Sequence, residues 1–237
     1  QMLYKQGMLI PNHPNNNGEK PLLIGNSSQI GAQLNYIYRG NYGLINEEEL
    51  IEAGLNEDEA KAHMAIKNYF AFGSIVTSDA ILDTLALEES EIAIRYGATI
   101  NRTGLNKFQL SFEDESVEID LNLPKNEVYD VPYPLGFFNI KRDYFSIVHA
   151  GDGDGWDINR PCMSSIIMYQ GKVYLIDAGP NTFYSLLSLG ISINEIEGIF
   201  HTHVHDDHFA GLTTLMRSDH RIKYYASATV IASMIKK

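Results

Sequence analysis

Half of the chain's eight histidines stand within eight consecutive residues, His201-Thr202-His203-Val204-His205-Asp206-Asp207-His208, followed by Phe209-Ala210-Gly211. Imidazoles and carboxylates crowded in this way repel or lose hydration unless a positive centre organises them. Nitrogen donors mixed with carboxylate oxygens suit zinc, iron or manganese better than calcium. His203 and His205 lie two apart, so in extended backbone they point the same way and can share one ion. Asp207 and His208 are adjacent, so they diverge and can reach a second. Gly211 lets a following helix begin close to the site. The alternative is a solvated histidine-rich tract. Against it stand the apolar run Ile196–Phe200 before the cluster and the helical pattern after it.

The elements that must position these residues alternate between strand and helix. Tyr144–His149, Ser165–Tyr169, Val173–Ile176, Ile196–Phe200 and Ile222–Ala226 read as strands, and Thr182–Leu189, Leu212–Met216 and Ala228–Ile235 as helices. That order predicts a layered α/β architecture over residues 136–237. Upstream, residues 36–135 read as a smaller α+β domain of open role, serving substrate recognition, dimerisation or capping of the site. Its signals are helices capped by Asn46 and Asn56, the second with an apolar face of Ala60, Met64, Ile66, Tyr69 and Phe70, then short helices opening at Ser78 and Glu88. A hairpin pairs Phe108–Phe112 with Val117–Leu121. Tyr36, Tyr38, Arg39 and Tyr42 form an aromatic-basic cluster that either stacks on a base or packs internally. Residues 1–35 read as loop or linker, and the proline-rich run Pro124–Gly136 as a boundary.

Composition sets outer bounds. With 237 residues, 44% of them hydrophobic, the chain can build one large domain or two small ones. No apolar run approaches the roughly 18 residues that a membrane-spanning helix needs, and no charged-then-apolar segment opens the chain. The single cysteine, Cys162, excludes an internal disulfide and a cysteine-built zinc site, and favours a cytoplasmic setting. Residues 1–139 carry 9 basic and 20 acidic side chains, whereas residues 140–237 carry 9 and 10. The acidic half would repel a nucleic-acid backbone, so a small-molecule substrate is expected.

The stretch Thr202–Gly211 resembles the metallo-β-lactamase superfamily signature T-H-x-H-x-D-H-x-x-G. A second block, Tyr174-Leu175-Ile176-Asp177-Ala178-Gly179, is similar to the strand of that family ending in Asp-x-Gly, and its Asp177 stands 26 residues before His203. The resemblance covers roughly residues 140–237 and implies the first half of an αββα sandwich. It implies two divalent metal ions, zinc first with iron or manganese as alternatives: His203 and His205 on one, Asp207 and His208 on the other. Asp207 would also be catalytic, orienting the nucleophile, and Asp177 would orient the ligands from behind. His201 replaces an aliphatic or small residue of the family; it either supports the ligands by a hydrogen bond or packs at a strand end. The family completes its site with two more histidines and an aspartate from the second half of the fold. Here only Asp219 and His220 follow, too early, and His220 reads as surface. The expectation is that the second half-sandwich comes from sequence beyond Lys237 or from another chain.

Such a site implies hydrolysis by an activated water. The stretch His149–Thr182, with Arg160 and Ser164-Ser165, resembles the branch containing tRNA 3′-processing endonucleases and cyclic-nucleotide phosphodiesterases. That points to a phosphodiester, a small one given the acidity. Asp152 and Asp154 depart from the branch; with Asp157 they either repel phosphate or form turns. The alternatives are a lactone, thioester or other ester hydrolase, a di-iron redox protein, and a non-catalytic interaction module.

Overall fold

A computed structural model describes residues 7, 10–88, 91–125, 130–155, 157 and 159–237. The chain divides into two compact units, one mainly of residues 38–75 and 131–237, the other mainly of 10–37 and 76–130.

In the second of these units, β1 (Leu22–Gly25) pairs in parallel with β2 (Asp83–Ala86). Helix α1 (Ser27–Tyr42) starts here and ends in the other unit, and α4 (Ser78–Ile81) is a single turn. Strands β3 (Ile92–Ala93), β4 (Thr99–Gly104), β5 (Lys107–Phe112) and β6 (Glu115–Asp120) form an antiparallel sheet in that order. The expected hairpin is β5–β6, in register from Lys107↔Asp120 to Phe112↔Glu115.

The expected loop over residues 1–35 is corrected here, because it contains β1 and the first turns of α1. Asn26 Oδ1 accepts from Gln29 N at 2.8 Å at the start of α1, a capping pair legible in the sequence. β1 is invisible locally, since its partner lies some sixty residues on. A helix opening at Glu88 does not form at that residue; positions 89–90 lie outside the described residues. The Glu88 carboxylate instead accepts from Ser27 N and Ser27 Oγ, next to the first turn of α1. The boundary run Pro124–Gly136 also lies partly outside the described residues.

In the first unit, α2 (Glu47–Glu52) and α3 (Glu57–Phe70) are capped by Asn46 and Asn56 as expected, the latter in a full capping box with Glu59. Of the expected apolar face of α3 only Ala60 is buried, joining Leu44 and Leu50, with Met64 and Ala232 packed alongside. Ile66, Tyr69 and Phe70 are exposed. Arg39 packs rather than presenting itself to a base: its guanidinium is 2.8 Å from Glu49 and nearly covered.

Glu49 also takes Lys236 Nζ at 3.0 Å and Ile45 N at 2.9 Å. Burial works to raise this carboxyl. The hydrogen bonds from Arg39, Ile45 and Lys236 outweigh it and hold the group at about 2, below its usual 4.5. A depressed carboxylate stabilises the fold above its unfolded value and loses that contribution as pH falls toward the folded one. Glu49→Gln is therefore expected to cost about 2 kcal/mol at pH 7 and to flatten the stability loss between pH 4.5 and 2. Urea denaturation at pH 7 and pH 3 checks it.

The rest of this unit is a five-stranded sheet in the order β11-β10-β9-β8-β7: β7 (Phe145–Gly151), β8 (Ser164–Tyr169), β9 (Lys172–Ile176), β10 (Ile196–Phe200) and β11 (Lys223–Tyr225). The pairs β7–β8 and β8–β9 are antiparallel, while β9–β10 and β10–β11 are parallel. Parallel pairing follows from the crossovers. Helix α5 (Thr182–Ser188) returns the chain between β9 and β10, and the short α6 (Asp206–Phe209) and α7 (Leu212–Leu215) do so between β10 and β11, before α8 (Ala228–Lys236). One sheet face carries the core, with Ile166, Leu175, Ile196 and Ile199 fully covered and Leu186, Ile191 and Leu215 packed on them. The other is apolar but open: Phe145, Ile147, Tyr169, Phe200 and Tyr225 are 39–62% exposed, the mark of a surface meant to be covered. Among the described residues no helix is long and apolar enough to cross a membrane.

Candidate metal centre

Three parallel strands end at the same edge of the sheet, and their following loops meet there. The turn after β9, Asp177-Ala178-Gly179, lies against the segment after β10. Asp177 N donates to Phe200 O at 2.9 Å, Ala178 N to His208 O at 2.7 Å, and Gly211 N to Ala178 O at 2.8 Å. Two glycines make this approach possible. A Cβ on Gly179 would stand 2.1 Å from Asp207 O, and one on Gly211 would stand 2.3 Å from Gly179 O.

Asp177 is fully buried, with φ +59°. Its carboxylate accepts from Thr202 N at 2.8 Å, Thr202 Oγ1 at 2.7 Å and His208 Nδ1 at 2.8 Å. Since a carboxylate only accepts, His208 Nδ1 carries a proton, and Nε2 is the ring nitrogen that could bind a metal ion. That Nε2 is 3.3 Å from Asp207 Oδ2. Thr202 has one hydroxyl proton, committed to Asp177, so toward His203 Nδ1, at 3.0 Å, its oxygen accepts. The proton of His203 is thereby also on Nδ1, and its Nε2 is free. Asp177 sets both tautomers, one directly and one through Thr202.

The His203 ring lies 4.0 Å from that of His208 and 4.7 Å from that of His205. Burial, then the neighbouring His208 and His205, push its pKa down to about 4. It is a neutral donor at ordinary pH, the form that binds metals. Donor atoms of Asp177, His203 and His208 all lie within 4.8 Å of one another. That group includes neither His205 nor Asp207, and its carboxylate is taken by Thr202 and His208; the two imidazoles are the donors it leaves for a transition-metal ion.

His201 is buried behind the loop. Its Nε2 is 2.9 Å from His208 O, which can only accept, so Nε2–H donates and Nδ1 accepts from Tyr224 OH at 3.0 Å. Its ring stacks on Phe209, with centroids 5.3 Å apart, and burial lowers its pKa. His220 is exposed, held by Asp219 and by Ile196 O. Asp157 forms a turn, accepting from Asn159 N at 2.9 Å. Thr202 and Tyr224 are the residues that sequence reasoning left without a role. The threonine was in plain sight inside the motif.

The family described as Anti-Pycsar protein Apyc1 matches residues 145–234. Ribonuclease Z of Clostridium kluyveri is 45% identical over 58 residues, which cover 24% of this chain and 19% of that protein. Ribonuclease Z of Nanoarchaeum equitans is 37% identical over 71 residues, covering 30% and 22%. The segment is homologous to the metallo-β-lactamase superfamily. A crystal structure of human tRNase Z, short form, superposes with a TM-score of 0.28 at 30% identity, covering 29% of this chain and 27% of that one. The chain spans about a fifth of the length of the two curated relatives. Within the metallo-β-lactamase-like segment, the two motif blocks are the two loops that meet at the sheet edge.

Proposed function

We propose that residues 136–237 are the first half of an αββα metallo-β-lactamase-like domain of a hydrolase that cleaves a phosphodiester with water. The observation that carries this reading is the hydrogen-bond relay: the buried Asp177, directly and through Thr202, holds the Nδ1 side of His208 and His203 and leaves their Nε2 atoms to bind an ion. His203 and His205 would hold one divalent cation, Asp207 and His208 a second, with zinc preferred to iron or manganese. Such cations supply Lewis acidity toward a phosphoryl oxygen and a water nucleophile at neutral pH. Asp207 orients the attacking water. Asp177 and His201 keep ring and backbone of His208 in place, and no covalent adduct with the protein is needed. The uncovered apolar sheet face with Phe200 and Tyr225 is where the second half-sandwich, from further sequence or another chain, would pack. The lone cysteine supports a cytoplasmic setting.

A small phosphodiester is the preferred substrate, supported by the acidity of residues 1–139. An RNA is the competing reading, favoured by the relatives named ribonuclease Z. The full-length protein, loaded with zinc or manganese, is expected to cleave bis-p-nitrophenyl phosphate and a cyclic nucleotide faster than a 3′-extended tRNA. Turnover of a lactone or thioester with the phosphodiesters untouched overturns the reaction class. Iron with a visible charge-transfer band would point to redox chemistry, and absence of any metal to an interaction module.

Asp177→Ala probes the relay. Partners that orient metal ligands are typically worth 10–100-fold in metal affinity. A loss of that size is expected in competition with a chromophoric chelator; unchanged affinity would show that the relay does not act on the ions.

A further inference from the structure

Asp206 sits between His205 and Asp207, and the proposed site gives it no task. We infer that Lys237 and Asp206 form a positioning pair that holds the ligand-bearing loop from behind and turns a competing carboxylate away from the cations. The inference rests on the reading of this loop as metal-binding.

The Lys237 side chain is 1% exposed. Its ammonium is 2.6 Å from Asp206 Oδ1, donates to Val204 O at 2.8 Å, and stands 4.8 Å from the centre of the Phe209 ring. The three contacted residues interleave with His203, His205, Asp207 and His208. One cation thus grips the loop at three points, none of them on the proposed ligands. A buried ammonium is tolerated only when paired and hydrogen-bonded. Here a carboxylate balances it, and a carbonyl and an aromatic face lie against it. The pair also answers the electrostatics of the motif. A second free aspartate beside Asp207 would offer an extra anionic donor and allow the loop to bind an ion in the wrong register; tied to Lys237, Asp206 is withdrawn. Lys237 itself is fixed by its neighbour. Lys236 reaches the other way to Glu49, already clamped by Arg39, and Gly43 permits close approach, since a Cβ there would stand 2.7 Å from Ser233 Oγ on α8. Lys237 is a positioning residue; it touches neither ion nor substrate.

The test uses the full-length protein with Lys237→Met, Lys237→Arg, Asp206→Asn and the double variant Lys237→Met with Asp206→Asn. Metal affinity, kcat, KM and denaturant midpoint are read for each. Lys237→Met takes the ammonium from Asp206 and frees that end of the loop, so metal affinity is expected to fall about 10–100-fold, the range for groups that orient ligands, and kcat to fall with KM little changed. The double variant removes the competing carboxylate together with its ammonium and is expected to recover much of that loss. Lys237→Arg, which keeps the charge, should lose least. Wild-type metal affinity and kcat in Lys237→Met overturn the inference, as does a loss that follows the denaturant midpoint and is not relieved in the double variant. If Lys237→Met does not fold, the Arg and double variants decide by the same comparison. A wild-type protein that binds no metal defeats the functional reading instead, so the two failures are distinct.

Discussion

His208→Ala is expected to abolish metal-dependent hydrolysis while leaving the fold in place. The substitution removes the ring whose Nε2 faces Asp207 and whose Nδ1 is held by Asp177. It keeps the backbone carbonyl that Ala178 N and His201 Nε2 both use, so the loop contact survives. Thr202 still gives Asp177 two hydrogen bonds, which limits the cost of the lost third. Four-ligand zinc sites bind with about 10–16 kcal/mol, so one ligand is worth roughly 3 kcal/mol, or about 100-fold in affinity. Catalysis should fall further, on the order of 10³-fold, because the site also loses its geometry. Elemental analysis after dialysis, with turnover of bis-p-nitrophenyl phosphate, measures both. A variant that retains wild-type metal content and activity would remove His208 from the site.

Gly179→Ala is expected to destabilise the protein severely. An added Cβ would meet Asp207 O at 2.1 Å and Cys162 Cβ at 2.5 Å. The first of these is backbone and cannot rotate away. Overpacking of this kind costs about 3 kcal/mol or more, which for a chain of this size lowers Tm by roughly 6–12 °C. Gly104→Ala is the control, since its Cβ would meet only the Lys107 side chain at 3.7 Å or beyond. The two glycines should also differ in function, because relief of the Gly179 clash must move the loop that carries Asp207 and His208. Equal melting temperatures for the two variants would show that the Asp-Ala-Gly turn does not press on the motif as described.

Much of the site segment was legible because its signals are local. Strands β7 to β11 announce themselves by short apolar runs between turn residues, and the caps of α2 and α3 by an asparagine with glutamate three positions on. What escaped was non-local or masked by composition. β1 pairs with β2 across some sixty residues, and α1 opens in a run rich in asparagine, serine and glycine that reads as loop until its Asn26–Gln29 cap is noticed. Ala60 and Met64 of α3 pack into the core with Leu44 and Leu50 as its spacing suggests, but Ile66, Tyr69 and Phe70 do not, because periodicity marks an apolar side without saying what covers it.

The sequence by itself determined the donor chemistry: which imidazoles and carboxylates are available, which pair can share a face, and where glycine allows close approach. Those are properties of residue type and of spacing within a few positions. Only the tertiary structure decided which ring nitrogen of His203 and His208 is held by a partner, that Thr202 relays Asp177, and that Asp206 pairs with Lys237. Each of those rests on a hydrogen bond or ion pair whose partners are 25 to 31 residues apart, and such contacts exist only after parallel strands bring their ends to one edge.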